Sequence, residues 1–202
     1  MKKVQVPRSV ILVVTTYLVA AISASITLQN WEFLKVYIPF FFLAVLVLTY
    51  MHQRVRFSDT ILWCLTLWGA LHFAGGLIQP PNHWPYDGEQ QVLYSLWLVE
   101  NTLKYDQAVH AFGFGSTTWL AWEALRSSIQ HRLGRKLYPS MGMIFLCVFT
   151  GMGLGDLNEI VEFIAVLNVE DTNVGGYLNT GWDLVANCFG CLWAGILILW
   201  RG

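Results

Sequence analysis

Apolar residues fall into six long runs along the chain, near 9–28, 34–51, 60–78, 106–125, 139–167 and 181–200, separated by polar stretches. A helix needs about 20 such residues to cross a bilayer, so each run is long enough to span. The pattern predicts an all-α polytopic membrane protein, a six-transmembrane-helix bundle in one domain over residues 1–202. Spans one and two, within 9–51, carry no interior carboxylate or histidine and read as scaffold; the spans within 60–200 carry the polar groups. The first run follows Lys2, Lys3 and Arg8 and contains Ala21-Ile22-Ser23, a passable cleavage site. It is expected to stay as an uncleaved anchor, because the rest of the chain already commits to the membrane.

Composition supports this pattern. Hydrophobic residues make up 55% and charged residues 12%, where a soluble domain carries about a quarter charged. With a net charge of −1 and no basic patch interleaved with aromatics, nucleic acid is not an expected partner; membrane lipids are. Cys64, Cys147, Cys188 and Cys191 all lie in apolar runs. Cys188-Phe-Gly-Cys191 has redox or metal spacing, but without a second pair nearby it reads as small packing residues.

Lys and Arg set the expected orientation. Lys2, Lys3, Arg8, Arg54, Arg56, Arg126, Arg132, Arg135, Lys136 and Arg201 fall on one side, Lys35 and Lys104 on the other. Both termini are therefore expected in the cytoplasm, with connections one, three and five outside. The third connection, Gln79 to Tyr105, is long and rich in Trp and Tyr, which suits an interfacial lid with an amphipathic helix over Gln91–Lys104. It also holds Asp87, Glu89 and Glu100. The fifth, Asn168 to Thr180, reads as an acidic covering loop. Gly151, Gly155, Ala186, Gly190 and Ala194, with Gly113 and Gly115, predict close helix packing late in the chain.

The candidate chemistry centres on Gly155 to Phe163, which places Asp156, Glu159 and Glu162 inside an apolar run. An ionised carboxylate at mid-span costs roughly 2.5–3.5 kcal/mol even on the lenient insertion scale, so these groups need partners. His72 on span three, Asp106 and His110 on span four, and Asp183 and Asn187 on span six are the candidates. Asp106 and His110, like Asp183 and Asn187, are i,i+4 neighbours on one helix face; Glu159 and Glu162 are i,i+3. At about 1.5 Å per residue all of them lie roughly 3–12 Å beneath the outer ends of their spans. Any one pair can be a hydrogen-bonded contact between helices worth about 0.6–2 kcal/mol. The whole set at one depth points to a functional site.

Within spans three to six, Lys and Arg occur only at the cytoplasmic rims, where Arg126 is expected to pair with Glu123. The acidic layer therefore calls for protonation, water or a bound cation. Histidines with carboxylates suit zinc, iron or manganese, as one or two divalent ions. His72, Asp106, His110 and Glu159 are the expected metal ligands, with Glu162 or Asp183 as general base and Asn187 orienting a neighbour. Ser116 and Ser140 lack a His and acid at catalytic spacing, and Gly151-x-Gly153-x-Gly155 opens no strand-to-helix turn. His52, His83 and His131 lie in connections and are expected to be solvated.

The chain resembles bacterial inner-membrane proteins of the YjdF type. The resemblance rests on His72-Phe-Ala-Gly75-Gly76, Tyr105-Asp106-xxx-His110-xx-Gly113, Asn158-Glu159-xx-Glu162 and Gly176-Tyr-Leu-Asn179-Thr-Gly-Trp-Asp183-xxx-Asn187-xx-Gly190. The second half is also similar to the VanZ-like family, through Asp106 and His110, Glu159, then Asp183, Asn187 and Gly190. It departs by carrying Glu162 where that pattern has Gln, and by lacking an Arg shortly before Asp183. The resemblances imply a multi-pass protein of the bacterial inner membrane. Three functional classes fit: metal-assisted hydrolysis or group transfer on a lipid or lipid-linked envelope substrate, a cation- or proton-coupled carrier, and a non-catalytic modulator of the cell envelope.

Overall fold

A computed structural model describes residues 5–88 and 90–201. Lys2 and Lys3 of the charge count and Glu89 of the third connection lie outside the described residues. Six long helices run through the described chain: α1 Arg8–Thr27, α2 Phe33–Val55, α3 Asp59–Leu77, α4 Tyr105–Leu133, α5 Met141–Asn168 and α6 Tyr177–Arg201. All but α4 are both long and apolar enough to cross a membrane. Helix α4 is long enough but more polar. It packs against α3, α5 and α6 and buries Gln107, His110, Ser116, Thr117, Thr118 and Glu123. A helix enclosed by protein need not present an apolar surface to lipid.

Local chemistry sets the helix ends. Pro39 near the start of α2 has no N–H to donate, and the turn before it, Phe33–Tyr37, is wound wide as a π-helix. Ser58 caps α3 by accepting from Ile61 N at 3.3 Å, and Ser140 caps α5 by accepting from Met143 N at 3.4 Å. Gly134, at φ +65°, ends α4 in the left-handed conformation that favours glycine.

The glycines place α4, α5 and α6 in contact. A methyl group on Gly190 would run into the Ala111 carbonyl, so the α6 and α4 backbones touch there. Gly115 meets the Gly190 carbonyl from the opposite helix. Gly151 lies against Thr118 and Cys191, and Gly155 against the Asn187 amide. These contacts match the small-residue pattern of the sequence. Cys191 is a packing residue that donates to Phe114 O at 3.3 Å, and all four cysteines are free.

The two ends of the bundle are fastened differently. Connections one, three and five share one end and meet around Thr172 and Asn173. Glu32, only 1% exposed, accepts from Asn173 N at 2.8 Å, and Gln90 Nε2 donates to Thr172 O at 3.3 Å. At the other end Glu123 accepts from Ser58 N at 2.8 Å and from Ser58 Oγ at 2.6 Å. Ser127 Oγ donates to Val55 O at 3.0 Å.

Three sequence expectations change. Gln91–Lys104 is not an amphipathic helix: a 3₁₀ turn, Leu93–Ser95, leads into a hairpin of β1 Trp97–Val99 and β2 Leu103–Lys104. Its register is closed by Lys104, whose ammonium lies 3.1 Å from Asp87 and over the Trp97 ring. Glu123 has Ser58 as its partner, and no ion pair with Arg126 forms among the described residues. His52 is buried in the last turn of α2 and stacked on Phe57, because α2 continues past the expected end of span two; His83 and His131 are exposed as expected.

Two outcomes follow for stability. Gly190→Ala should destabilise the protein by about 1–3 kcal/mol, because a backbone carbonyl cannot rotate away as a side chain can. Gly153→Ala, with open space at its Cβ position, should leave thermal unfolding in detergent unchanged. Burial at Glu32 raises its pKa, with the Asn173 hydrogen bond opposing in part. An acid with a raised folded-state pKa is fully accommodated below its unfolded value and loses stability as pH rises through the folded one. Glu32→Gln keeps an acceptor for Asn173 N, so its melting temperature should exceed wild type at neutral pH. The two curves should converge below the ordinary carboxylate range; a constant offset across pH would show that Glu32 carries no ionisation penalty.

Candidate functional site

The site forms where α4, α5 and α6 approach the end shared by connections one, three and five. His110 lies one turn beyond Asp106 in α4, Asp183 and Asn187 stand one turn apart in α6, and Glu159 and Glu162 share a face of α5. His110, Glu162 and Asp183 each sit about 8–9 Å from the end of their helix at ~1.5 Å per residue. The close α4–α6 contact at Gly190 and Ala111 lies just beneath them.

His110 is the hub. Its Nδ1 lies 3.0 Å from Asn187 Oδ1 and 3.6 Å from Glu159 Oε1. Its Nε2 lies 3.6 Å from Asp106 Oδ1 and 3.8 Å from Glu162 Oε1. An amide oxygen only accepts, so Asn187 requires a proton on Nδ1, and in the neutral ring the lone pair is then on Nε2. Asp183 is fully buried; Asn179 Nδ2 donates to its Oδ2 at 2.6 Å and to Asp106 Oδ2 at 3.3 Å. Glu162 Oε1 accepts from Asn158 Nδ2 at 2.8 Å.

Two sets of ligand atoms lie within 4.8 Å of one another: Asp106, His110 and Asp183, and His110, Glu159 and Glu162. His72 belongs to neither. Its ring stands edge-on between Tyr37, at 5.5 Å, and Tyr94, at 5.6 Å, and Tyr94 donates its hydroxyl to the His72 carbonyl at 2.7 Å. Asp156 lies on the exposed face of α5 with Leu157 and Ile160. The structure thus brings together Asp106, His110, Glu159, Glu162, Asp183 and Asn187, and sets His72 and Asp156 apart.

Asn179 and Tyr94 were not singled out as site residues in the sequence. Asn179 could have been found, since it precedes Asp183 by one turn. Nothing local marks Tyr94; it reaches His72 only because the third connection folds back over α3.

The residues fit a cation. Both carboxylate oxygens of Glu159 and Oδ1 of Asp183 are buried without a hydrogen-bond partner. Such groups are costly unless something neutralises them. The nearest base in the sequence, Lys104, is engaged by Asp87.

No curated protein and no solved structure matches the chain, so the VanZ-like resemblance remains one of pattern alone. The model of a family described as a predicted membrane protein family, DUF2238, matches residues 6–202, and the chain belongs to that family.

Proposed function

We propose that this multi-pass membrane protein binds a divalent transition-metal ion through Asp106, His110 Nε2 and Asp183, and uses the site for hydrolysis or group transfer on a lipid or lipid-linked substrate. One observation carries the reading: four carboxylates surround one imidazole, with orphaned oxygens on two of them and, among the described residues, no lysine or arginine paired with any of them. The nitrogen–oxygen donor set suits zinc, iron or manganese. A neutral imidazole has one lone pair, and Asn187 directs it to Nε2, beside Asp106 and Glu162 and away from Glu159, which favours the set with Asp106 and Asp183 over the set that needs Glu159. Bound there, the ion would supply Lewis acidity and a more acidic water.

The chain's own groups then take distinct roles. Asn187 holds the ring orientation and tautomer, as an outer hydrogen-bond partner of a metal-bound histidine does. Asn179 aligns Asp106 with Asp183 through its two hydrogen bonds. Glu159, with both oxygens unpaired, is the proton acceptor. Glu162, held by Asn158, supports the ring from the α5 side. In this assignment Glu159 and Asp183 exchange the roles expected from sequence, and His72 is not a ligand.

The same proposal places all six long helices across a bacterial inner membrane, with both termini in the cytoplasm and the site beneath the outer face. The charge distribution supports it, as do the contacts that gather connections one, three and five at one end. A cysteine introduced at Thr172 should then react with an impermeant maleimide in intact cells, and one at Gln130 should be shielded.

Elemental analysis of detergent-purified protein tests the metal directly. About one metal per chain is expected, with Asp106→Asn and Asp183→Asn losing it and His72→Ala retaining it. Asn187→Ala should weaken metal affinity roughly 10–100-fold. Glu159→Gln should keep the metal but abolish turnover. Absence of stoichiometric metal, together with no thermal shift on adding zinc, manganese or iron(II), would overturn the proposal. Metal flux into proteoliposomes without lipid turnover would favour a carrier.

A further inference from the structure

A second cavity opens on the other side of the α4–α6 contact and is separate from the His110 site. It has a volume of about 380 Å³ and runs between α3 and α6 over a floor formed by α4. Its inner end lies at Ala111 and Gly190 and its outer end at Thr60 and Arg201. The walls between are mainly apolar, with Cys64, Phe112, Ala194 and Leu197 among them. Along α6 from Phe189 to Arg201 the groove extends about 18 Å at ~1.5 Å per residue. That is comparable with half of a hydrocarbon core of about 30 Å, the depth of one leaflet.

The chemistry of the mouth is different from that of the walls. Arg201 is exposed, lies 5.4 Å from the centre of the Trp119 ring and forms no ion pair among the described residues. Stacking on Trp119 fixes the guanidinium at the groove's rim while its donors stay free for an anion. The cationic residues Arg54, Arg56 and Arg126 belong to the same end of the bundle. A groove between spanning helices is open to a molecule dissolved in the bilayer, and this one suits an apolar chain one leaflet long below an anionic head.

We infer that the groove between α3 and α6 binds an anionic phospholipid, with one acyl chain along α6 and its phosphate on Arg201. This inference does not rest on the metal reading, since the α4–α6 backbone contact separates the two sites.

The full-length protein, exchanged into mixed phosphatidylglycerol and phosphatidylcholine, would be examined by native mass spectrometry for lipid that survives detergent removal. Wild type should retain one phosphatidylglycerol in preference to phosphatidylcholine. Arg201→Gln should reduce that preference about fivefold, the factor for one basic residue beside an anionic lipid. Ala194→Phe, which fills the groove, should abolish retention. Thr60→Trp narrows the mouth from an exposed position and should do the same even if the buried substitution disturbs folding. Retention without charge preference, retention that survives both blocking variants, or a lipid-free dimer occluding the groove would each overturn the inference.

Discussion

The dominant constraint is electrostatic. Asp106, Glu159, Glu162 and Asp183 converge on a single imidazole, and among the described residues no lysine or arginine forms an ion pair with any of them. Bringing them together takes backbone proximity that ordinary side chains would prevent, and Gly190, Gly115 and Gly155 provide it. Glycine has little side-chain packing to offer, so at these positions its value lies in what it allows to approach. Asn187 joins the two requirements: its amide lies against Gly155 on one helix and holds His110 on another. Fold and site therefore depend on the same few contacts between α4, α5 and α6.

The remaining helices position and cover that core. Helix α1 packs on α3, and the aromatic cluster of Phe33, Tyr37 and Phe73 fills the space beside the site. Tyr94 extends the cluster from the third connection and meets Gly75, where any larger residue would collide with its ring, while at Gly76 the collision would be with the Phe33 ring. Spans one and two are thus more than passive scaffold: their turn contributes Glu32, which holds the fifth connection through Asn173. The opposite end is held by a different device, the Glu123 carboxylate capping the start of α3.

Hydropathy located the six long helices, with ends within about four residues of those seen except in α4, which runs on to Leu133, eight residues past the expected end at 125. Helix α4 is the instructive exception, recognisable by its length although burial relaxed its composition. That Asp106, Glu159, Glu162, Asp183 and Asn187 cluster around His110 was legible through their spacing, since i,i+4 pairs and a common depth survive any uncertainty in packing angle. His72 met the depth criterion but failed on azimuth, which depth cannot report; its ring is taken up by Tyr37 and Tyr94. Asp156 belonged to the same acidic stretch and fell on the exposed side of α5, since Glu159 and Glu162 define the inward face. The third connection was misread because its alternating polar and aromatic residues suit a short hairpin as well as an interfacial helix. The Lys104–Asp87 pair that helps decide between them is a long-range contact with no local signature.

Access to the site follows from the same geometry. His110, Asn187 and Asp183 are almost completely enclosed, while the side chains of Asp106, Glu162 and Glu159 are 14%, 12% and 10% exposed. Asp106 and Glu162 are thus the more open members, with the imidazole and the buried Glu159 oxygens behind them. Under the proposed metal binding, a cation would meet Asp106 and Glu162 before the enclosed nitrogen of His110. The connections around Thr172 and Asn173 are joined to their neighbours by two hydrogen bonds, Asn173 N donating to Glu32 and Gln90 donating to Thr172 O. Under the proposed function, a closely packed α4–α5–α6 core beneath connections held by few hydrogen bonds would allow ligand exchange without disturbing the packing that creates the site.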